Sequence, residues 1–446
     1  MLLPTGSVLL QLVAITHVTV IDMASPRPLR DATVVVNGRR ITAVGRSTAT
    51  PVPAGARAID GRGKFLIPGL WDMHVHTVVP GGRALLSLYV ANGVTGVRDM
   101  VSDWPMIARW RGEIESGTLI GPRIVASGPY LEGRPSPIAH IEVRTAEQAR
   151  RAVDSLARLG VDFVKVHGGV PREAFFAAAR EARRRDLPLA GHLSPGVTVT
   201  EASDSGQRSL EHLLGFTNQC SRAESVTFAG IDRLRRAVLG GCSTSDQTPM
   251  YRHLARNSTW VTPTLTPAYE FSVLPERAVP ADSLSRFISD SLRAYLTQIF
   301  DPPPDLPRDA GVVGRALYAK RHQTVGALYR AGVPLLAGTD APMRNSPPGF
   351  GLHEELAHLV QSGLSPLAAL RAATSEPARY FEALDSLGTI AVGKLADLVL
   401  LDADPLADIR NTHRIAAVLT RGRVYDRRDL DRVLAAVERS ARGQAP

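Results

Sequence analysis

The chain has 446 residues, 44% of them hydrophobic and 21% charged, with a formal net charge of +9. These proportions exclude a disordered or fibrous chain, and no apolar run approaches the ~20 residues that a membrane-spanning helix requires. The excess charge is arginine scattered over helix faces, as in Arg180 to Arg185, with no interleaved aromatic stripe, so neither a nucleic acid nor a membrane is an expected partner.

From about residue 12 to 68 the chain reads as short strands. Leu12–Ile21, Ala32–Val36 and Ile41–Val44 are rich in β-branched residues and separated by turns such as Asn37-Gly38. From residue 69 strand, loop and helix repeat. The strand candidates are Ile67–His76, Val94–Asp99, Arg123–Gly128, Phe163–His167, Leu187–Leu193, Ser209–Leu213, Trp260–Leu265 and Pro334–Ala341. Helical patterns lie between them, among them Gly81–Asn92, Thr145–Leu159, Arg172–Arg185 and Ala316–Ala331. This alternation predicts an α/β fold, a (β/α)8 TIM barrel over residues 69–384. An open doubly wound sheet is the alternative, disfavoured because no Gly-x-Gly-x-x-Gly follows the first strand. The stretch Val226–Asp309, with Pro302-Pro303-Pro304, is expected to add helices and a loop over the barrel mouth. β character returns at Lys394–Asp402, Ile415–Leu419 and Gly422–Tyr425. The simplest packing joins residues 1–68 and 385–446 into one small β-sandwich, with the barrel inserted in it.

In such a barrel the functional groups stand at the C-terminal ends of the strands. The first strand ends in His74 and His76, which alternation puts on one face, with Asp72 one step deeper. The fourth carries Lys165 and His167, the fifth His192, the sixth His212 and the eighth Asp340; Asp99, Ser127 and Thr264 are weaker candidates. Nitrogen and oxygen ligands converging on one rim suit a metal hydrolase. Lysine occurs only at Lys64, Lys165, Lys320 and Lys394, arginine serving as the general cation, so a lysine on this rim invites a specific role. Tyr130, His140 and His353 are further candidates for substrate contact, along with His167. The arginines near the rim, Arg98, Arg134 and Arg344, suit an anionic carboxylate, though the sequence firmly places none of them.

These runs resemble the amidohydrolase superfamily, within it the group of imidazolonepropionases, prolidase-like Xaa-Pro dipeptidases and ochratoxin-hydrolysing amidases. The resemblance rests on Pro68-Gly69-Leu70-Trp71-Asp72-Met73-His74-Val75-His76, Ala190-Gly191-His192, Ser209-Leu210-Glu211-His212, Gly338-Thr339-Asp340, His353-Glu354-Glu355-Leu356 and Gly393-Lys394-Leu395-Ala396-Asp397-Leu398-Val399. It covers residues 18–425. It implies a hydrolase acting on carbon–nitrogen bonds of a small amide or dipeptide. It also implies two Zn2+ ions, or other divalent metals: His74, His76 and Asp340 hold one, His192 and His212 the other. Lys165, converted by CO2 to a carbamate, bridges them, a modification open to a neutral amine and closed to a guanidinium. A metal-bridging hydroxide is then the nucleophile, with Asp340 as its base. A mononuclear cyclic-amide hydrolase or deaminase on the same fold is the alternative, and a non-catalytic assembly protein a remote one. The run Ser127-Gly128-Pro129-Tyr130-Leu131-Glu132 departs from the Gly-Gly-His-Gly of related prolidases.

Cys220 and Cys242 are either a disulfide or two free thiols. No lysine or arginine precedes Arg27, so the chain as written reads as cytoplasmic, and as exported if the natural start lies upstream with a signal peptide. A homo-oligomer is the expected assembly.

Overall fold

The computed structural model describes residues 11–216, 247–273, 284–300 and 310–444. Cys220, Cys242 and Pro302-Pro303-Pro304 lie outside them. The chain begins with β1 (Leu12–Val20), β2 (Leu29–Asn37), β3 (Arg40–Arg46), β4 (Arg57–Asp60) and β5 (Phe65–Pro68). Antiparallel register sets Val13 opposite Val36 and Ile15 opposite Val34, so alternate apolar residues share one buried face.

The run expected as one strand, Ile67–His76, is two. β5 ends at Pro68 and β6 covers Leu70–Val75 in a different sheet. Gly69 is the joint: its N–H reaches the Asp397 carbonyl, and Leu70 N–H turns to the Gly93 carbonyl. β6, β7 (Val94–Asp99) and β8 (Arg123–Ala126) form a three-stranded parallel sheet. A second parallel sheet orders β10 (His140–Glu142), β9 (Tyr130–Glu132), β11 (Val164–Val166), β12 (Leu189–Gly191), β13 (Gln207–Glu211) and β14 (Trp260–Thr262). β9 and β10 were not expected; they are three residues each, too short for a period-2 pattern to declare them.

The predicted strand Pro334–Ala341 is present as isolated parallel bridges, Leu335 to Val261 and Ala341 to Val75. Through Leu336 N–H to Val261 O (3.0 Å) and Met73 N–H to Ala337 O (2.9 Å), this segment links the edges of the two parallel sheets. Helices return the chain between strands. Ala146–Leu159 shows why they form where they do. Thr145 and Gln148 make a capping box, Ala149, Ala152, Val153 and Leu156 give the buried stripe, and left-handed Gly160 ends it.

At the far end β15 (Leu398–Leu401) pairs antiparallel with β5, Leu66 opposite Leu400, followed by β16 (Ile415–Thr420) and β17 (Arg423–Asp426). Strands from both ends of the chain therefore share one eight-stranded sheet. The last segment also contains a helix, Arg427–Ala441, that the β reading of residues 385–446 passed over. Its signals were the Asp426–Asp429 capping box and the apolar spacing Leu430, Leu434, Val437, which packs Val437 against Leu85 and Leu88. No helix among the described residues is long and apolar enough to cross a membrane.

Candidate metal centre

β6 runs fully buried into the site and carries His74, with His76 one residue past its end. The segment opposite lies close enough that a Cβ on Gly338 would sit 2.8 Å from His74 Cβ, so glycine is required there. Asp72 holds the same segment, accepting from the Thr339 hydroxyl (2.6 Å) and the Thr339 N–H (3.0 Å). Asp340 N–H donates to the His74 carbonyl at 2.7 Å. These bonds bring Asp340 Oδ1 to 2.8 Å from His76 Nε2 and 3.3 Å from His74 Nε2. Donor atoms of His74, His76 and Asp340 lie within 4.8 Å of one another, among the described residues the one such cluster of three or more.

His212 and His192 stand beside this group. The His212 ring is 4.4 Å from that of His74, and His192 is 4.8 Å from His212. Burial, with the charges of His74 and Lys165 added, holds the His212 imidazole well below its ordinary pKa. Burial and Lys165 do the same to His192, so both rings are neutral, the form that binds metals. The Thr264 hydroxyl engages His212 Nδ1 at 2.7 Å, leaving Nε2 for other work. His212, Thr264 and Asp340 all have left-handed φ values, +62°, +48° and +58°. Such backbone costs about 1–3 kcal/mol per non-glycine residue and gathers at functional sites.

Lys165 is 2% exposed on β11. Burial lowers its ammonium to about 8, against the opposing pull of Glu211 and Asp340. Its methylene chain passes over Gly191, where a Cβ would meet Val166 O at 2.1 Å and Lys165 Cδ at 2.9 Å. Lys64, by contrast, pairs with Asp402, and Lys394 donates to the Leu384 carbonyl. Asp340 is held well below the carboxylate range: burial alone would raise it, and His212, His74 and His76 outweigh that.

A row of rings leads away from the group. His167 lies 4.3 Å from His192, Tyr130 4.8 Å from His167, and His140 6.1 Å from Tyr130. Glu132 anchors the row, bonding His167 Nδ1 and the N–H groups of Gly133 and Arg134. His353 sits elsewhere, its Nδ1 on the Thr412 hydroxyl at 3.0 Å and its ring 4.3 Å from His413. The placement of Arg98 at the rim for a substrate carboxylate is corrected. Arg98 is fully buried beneath His74, and its donors are taken by Met73 O, Ser209, Tyr380, Glu211 and Thr262. Strand alternation points it inward, between β6 and β13. Asp99 accepts from the N–H groups of Thr77 and Val101, and the Ser127 hydroxyl donates to the Gly128 carbonyl, so both serve the backbone of the rim. Sequence reasoning missed Glu211 and Glu132. A glutamate inside an apolar strand was the available signal for the first; nothing local distinguished the second.

Parallel strands carrying a His-x-His pair, His74 buried and His76 half-buried, with an aspartate on the facing segment, give an α/β protein with a potential metal-binding group. Residues 65–425 match the amidohydrolase family, and the chain belongs to it. It is 29% identical over 153 residues to imidazolonepropionase of Arthrobacter sp. strain FB24, 32% of this chain and 36% of that one. It is 23% identical over 417 residues to ochratoxinase of Aspergillus niger, 86% of this chain and 80% of that one. Against the first curated relatives it spans 36%, 14% and 63% of their lengths. The solved structure of a bottromycin amidohydrolase shares its fold, with a TM-score of 0.79 at 24% identity, covering 99% of this chain and 95% of that one.

Proposed function

We propose that this chain is a metal-dependent hydrolase of amide or peptide C–N bonds, built on a closed (β/α)8 barrel. The observation that carries this is the His74–His76–Asp340 cluster with neutral His192 and His212 beside it and a buried lysine alongside. The donor set fits a divalent ion: imidazole nitrogens with Nε2 available, and an ionised carboxylate. Divalent ions there, zinc in this reading, would polarise a carbonyl and lower the pKa of a water molecule.

The protein's own groups then have defined tasks. Both histidine contacts of Asp340 fall on Oδ1, which leaves Oδ2 to take the proton of the attacking water and pass it to the leaving nitrogen. His212 and His192 remain neutral donors. The low-lying Lys165 amine has a neutral fraction that can add CO2, forming the N–C bond of a carbamate and releasing one proton. His167, Tyr130 and His140 form a wall along which a small amide or dipeptide would lie.

One observation favours a second reading. The cluster within 4.8 Å supplies donors for a single ion, as a mononuclear cyclic-amide hydrolase or deaminase would have it. Elemental analysis of wild type and Lys165→Ala separates the two. About two metals per chain falling to one or fewer in the mutant supports the bridged pair. One metal in both sinks it and moves the substrate screen to rings. A screen of N-acyl amino acids and dipeptides, read by release of free amine, tests the reaction; no hydrolysis by metal-loaded protein would overturn the amide assignment.

A further inference from the structure

We propose that Glu211, clamped by Arg98, is a positioning residue that fixes the proton of His74 on Nδ1 and so keeps Nε2 open as a metal donor. The inference rests on the metal-dependent reading above and concerns groups beneath the ligands. Neither Arg98 nor Glu211 has exposed side-chain surface. Arg98 Nε donates to the Met73 carbonyl at 2.6 Å, one Nη to the Ser209 hydroxyl (2.8 Å) and the Tyr380 hydroxyl (3.0 Å). The other Nη donates to both Glu211 oxygens, at 2.9 and 3.0 Å, and to the Thr262 hydroxyl at 3.2 Å. Since Ser209 Oγ accepts from Arg98, its own proton goes to Glu211 Oε1, 2.6 Å away. Oε2 is left facing His74 Nδ1 at 2.8 Å.

An ionised carboxylate only accepts, so the hydrogen between Oε2 and Nδ1 belongs to the imidazole. The lone pair then lies on Nε2, which faces Asp340. Carboxylate–histidine–metal arrangements orient ligands in this way, and their loss typically costs 10–100-fold in metal affinity. A pair that only neutralised two buried charges would need no third partner. Here Arg98 also holds the carbonyl of Met73, the residue next to His74, so the clamp fixes both ring and backbone.

Glu211→Gln tests this, because the two side chains have nearly the same shape. The Gln oxygen stays toward Arg98 and Ser209, its natural donors, and the amide N–H2 turns to His74 Nδ1. Nδ1 must then accept, and the ring proton moves to Nε2, where a metal would bind. Glu211→Asp is the second variant: it keeps a carboxylate for Arg98 and withdraws it from His74. The measurements are bound metal per chain, the rate of metal release to a chelator, and the rise in melting temperature when Zn2+ is added to metal-free protein. We expect both variants to release metal about 10–100-fold faster than wild type and to gain less from Zn2+. Wild-type release rates with a wild-type Zn2+ increment, whatever the metal-free melting temperature, would overturn the positioning role while the metal reading stands. A wild type that binds no metal removes both.

Discussion

Asp340 carries the chemistry in this reading because the bonds of His74 and His76 favour its ionised form against burial, and both fall on Oδ1. Asp340→Asn keeps the shape and removes the base. The expected result is a fall in kcat of about 10²–10⁴-fold with bound metal partly retained, measured by steady-state assay and elemental analysis on the same preparation. Unchanged kcat would take the base role from Asp340. Gly191→Ala makes a different prediction. At φ +131° a methyl would lie 2.1 Å from the Val166 carbonyl, and backbone cannot swing aside. Destabilisation of about 2–3 kcal/mol by urea unfolding is expected. At this scale the ligands were legible because His-x-His on a strand, and single His or Asp residues at strand ends, announce themselves by type. Arg98 was not. Its charge suggested a substrate carboxylate, and only the fold shows that the carboxylate it meets is Glu211.

Among the elements, the helix Leu265–Val273 follows Thr264, the residue that engages His212. The Thr264 hydroxyl, next to its first N–H groups, is engaged with His212. Glu355, on the helix Phe350–Gln361, supplies a cap from outside, accepting from Leu265 N–H (3.0 Å), Thr266 N–H (2.8 Å) and the Thr266 hydroxyl (3.0 Å). Burial nevertheless raises its carboxyl from 4.5 to about 7. Between those values the folded chain keeps a proton that the unfolded chain has already lost. The group's contribution is therefore full below about pH 4.5 and is lost as pH rises through about 7, a change of about 3 kcal/mol. Urea unfolding of wild type and Glu355→Gln across pH 4.5–8 should show the wild type losing stability relative to the mutant over that window. Parallel curves would sink the assignment. The motif containing Glu355 was visible in the sequence; the helix it caps, some ninety residues earlier, was expected only in outline, among the helices added in Val226–Asp309, and their contact was not legible.

At the scale of the molecule, the His74-bearing strand and the segment ending in Asp340 meet only because the two parallel sheets are joined through residues 334–341. An ion shared between them would tie sheet edges far apart in sequence. Removing metal with a chelator should lower the melting temperature, by the equivalent of about 4 kcal/mol at a metal concentration 1,000-fold above Kd. The loss should be smaller in Asp340→Asn, which has one donor fewer. Equal melting temperatures with and without chelator would show that the cluster holds no ion. The ends of the chain meet as well, through Leu66 opposite Leu400, and the closing helix covers Leu85 and Leu88 with Val437.

By itself the sequence determined the alternation of strand and helix, the β character of both ends and the residue types at the strand ends. Each of these is a local property, set by side-chain periodicity, turn residues and caps. It did not determine where Ile67–His76 breaks, since Gly69 becomes a joint only when the Asp397 carbonyl takes its N–H and the Gly93 carbonyl takes that of Leu70. Nor did it determine that Tyr130, His140 and His167 line up with His192 while His353 packs against Thr412. The tertiary structure alone decided that Arg98 serves Glu211 and Glu211 serves His74. A buried charge is stable only beside its partner, and here the partners come from strands more than a hundred residues apart.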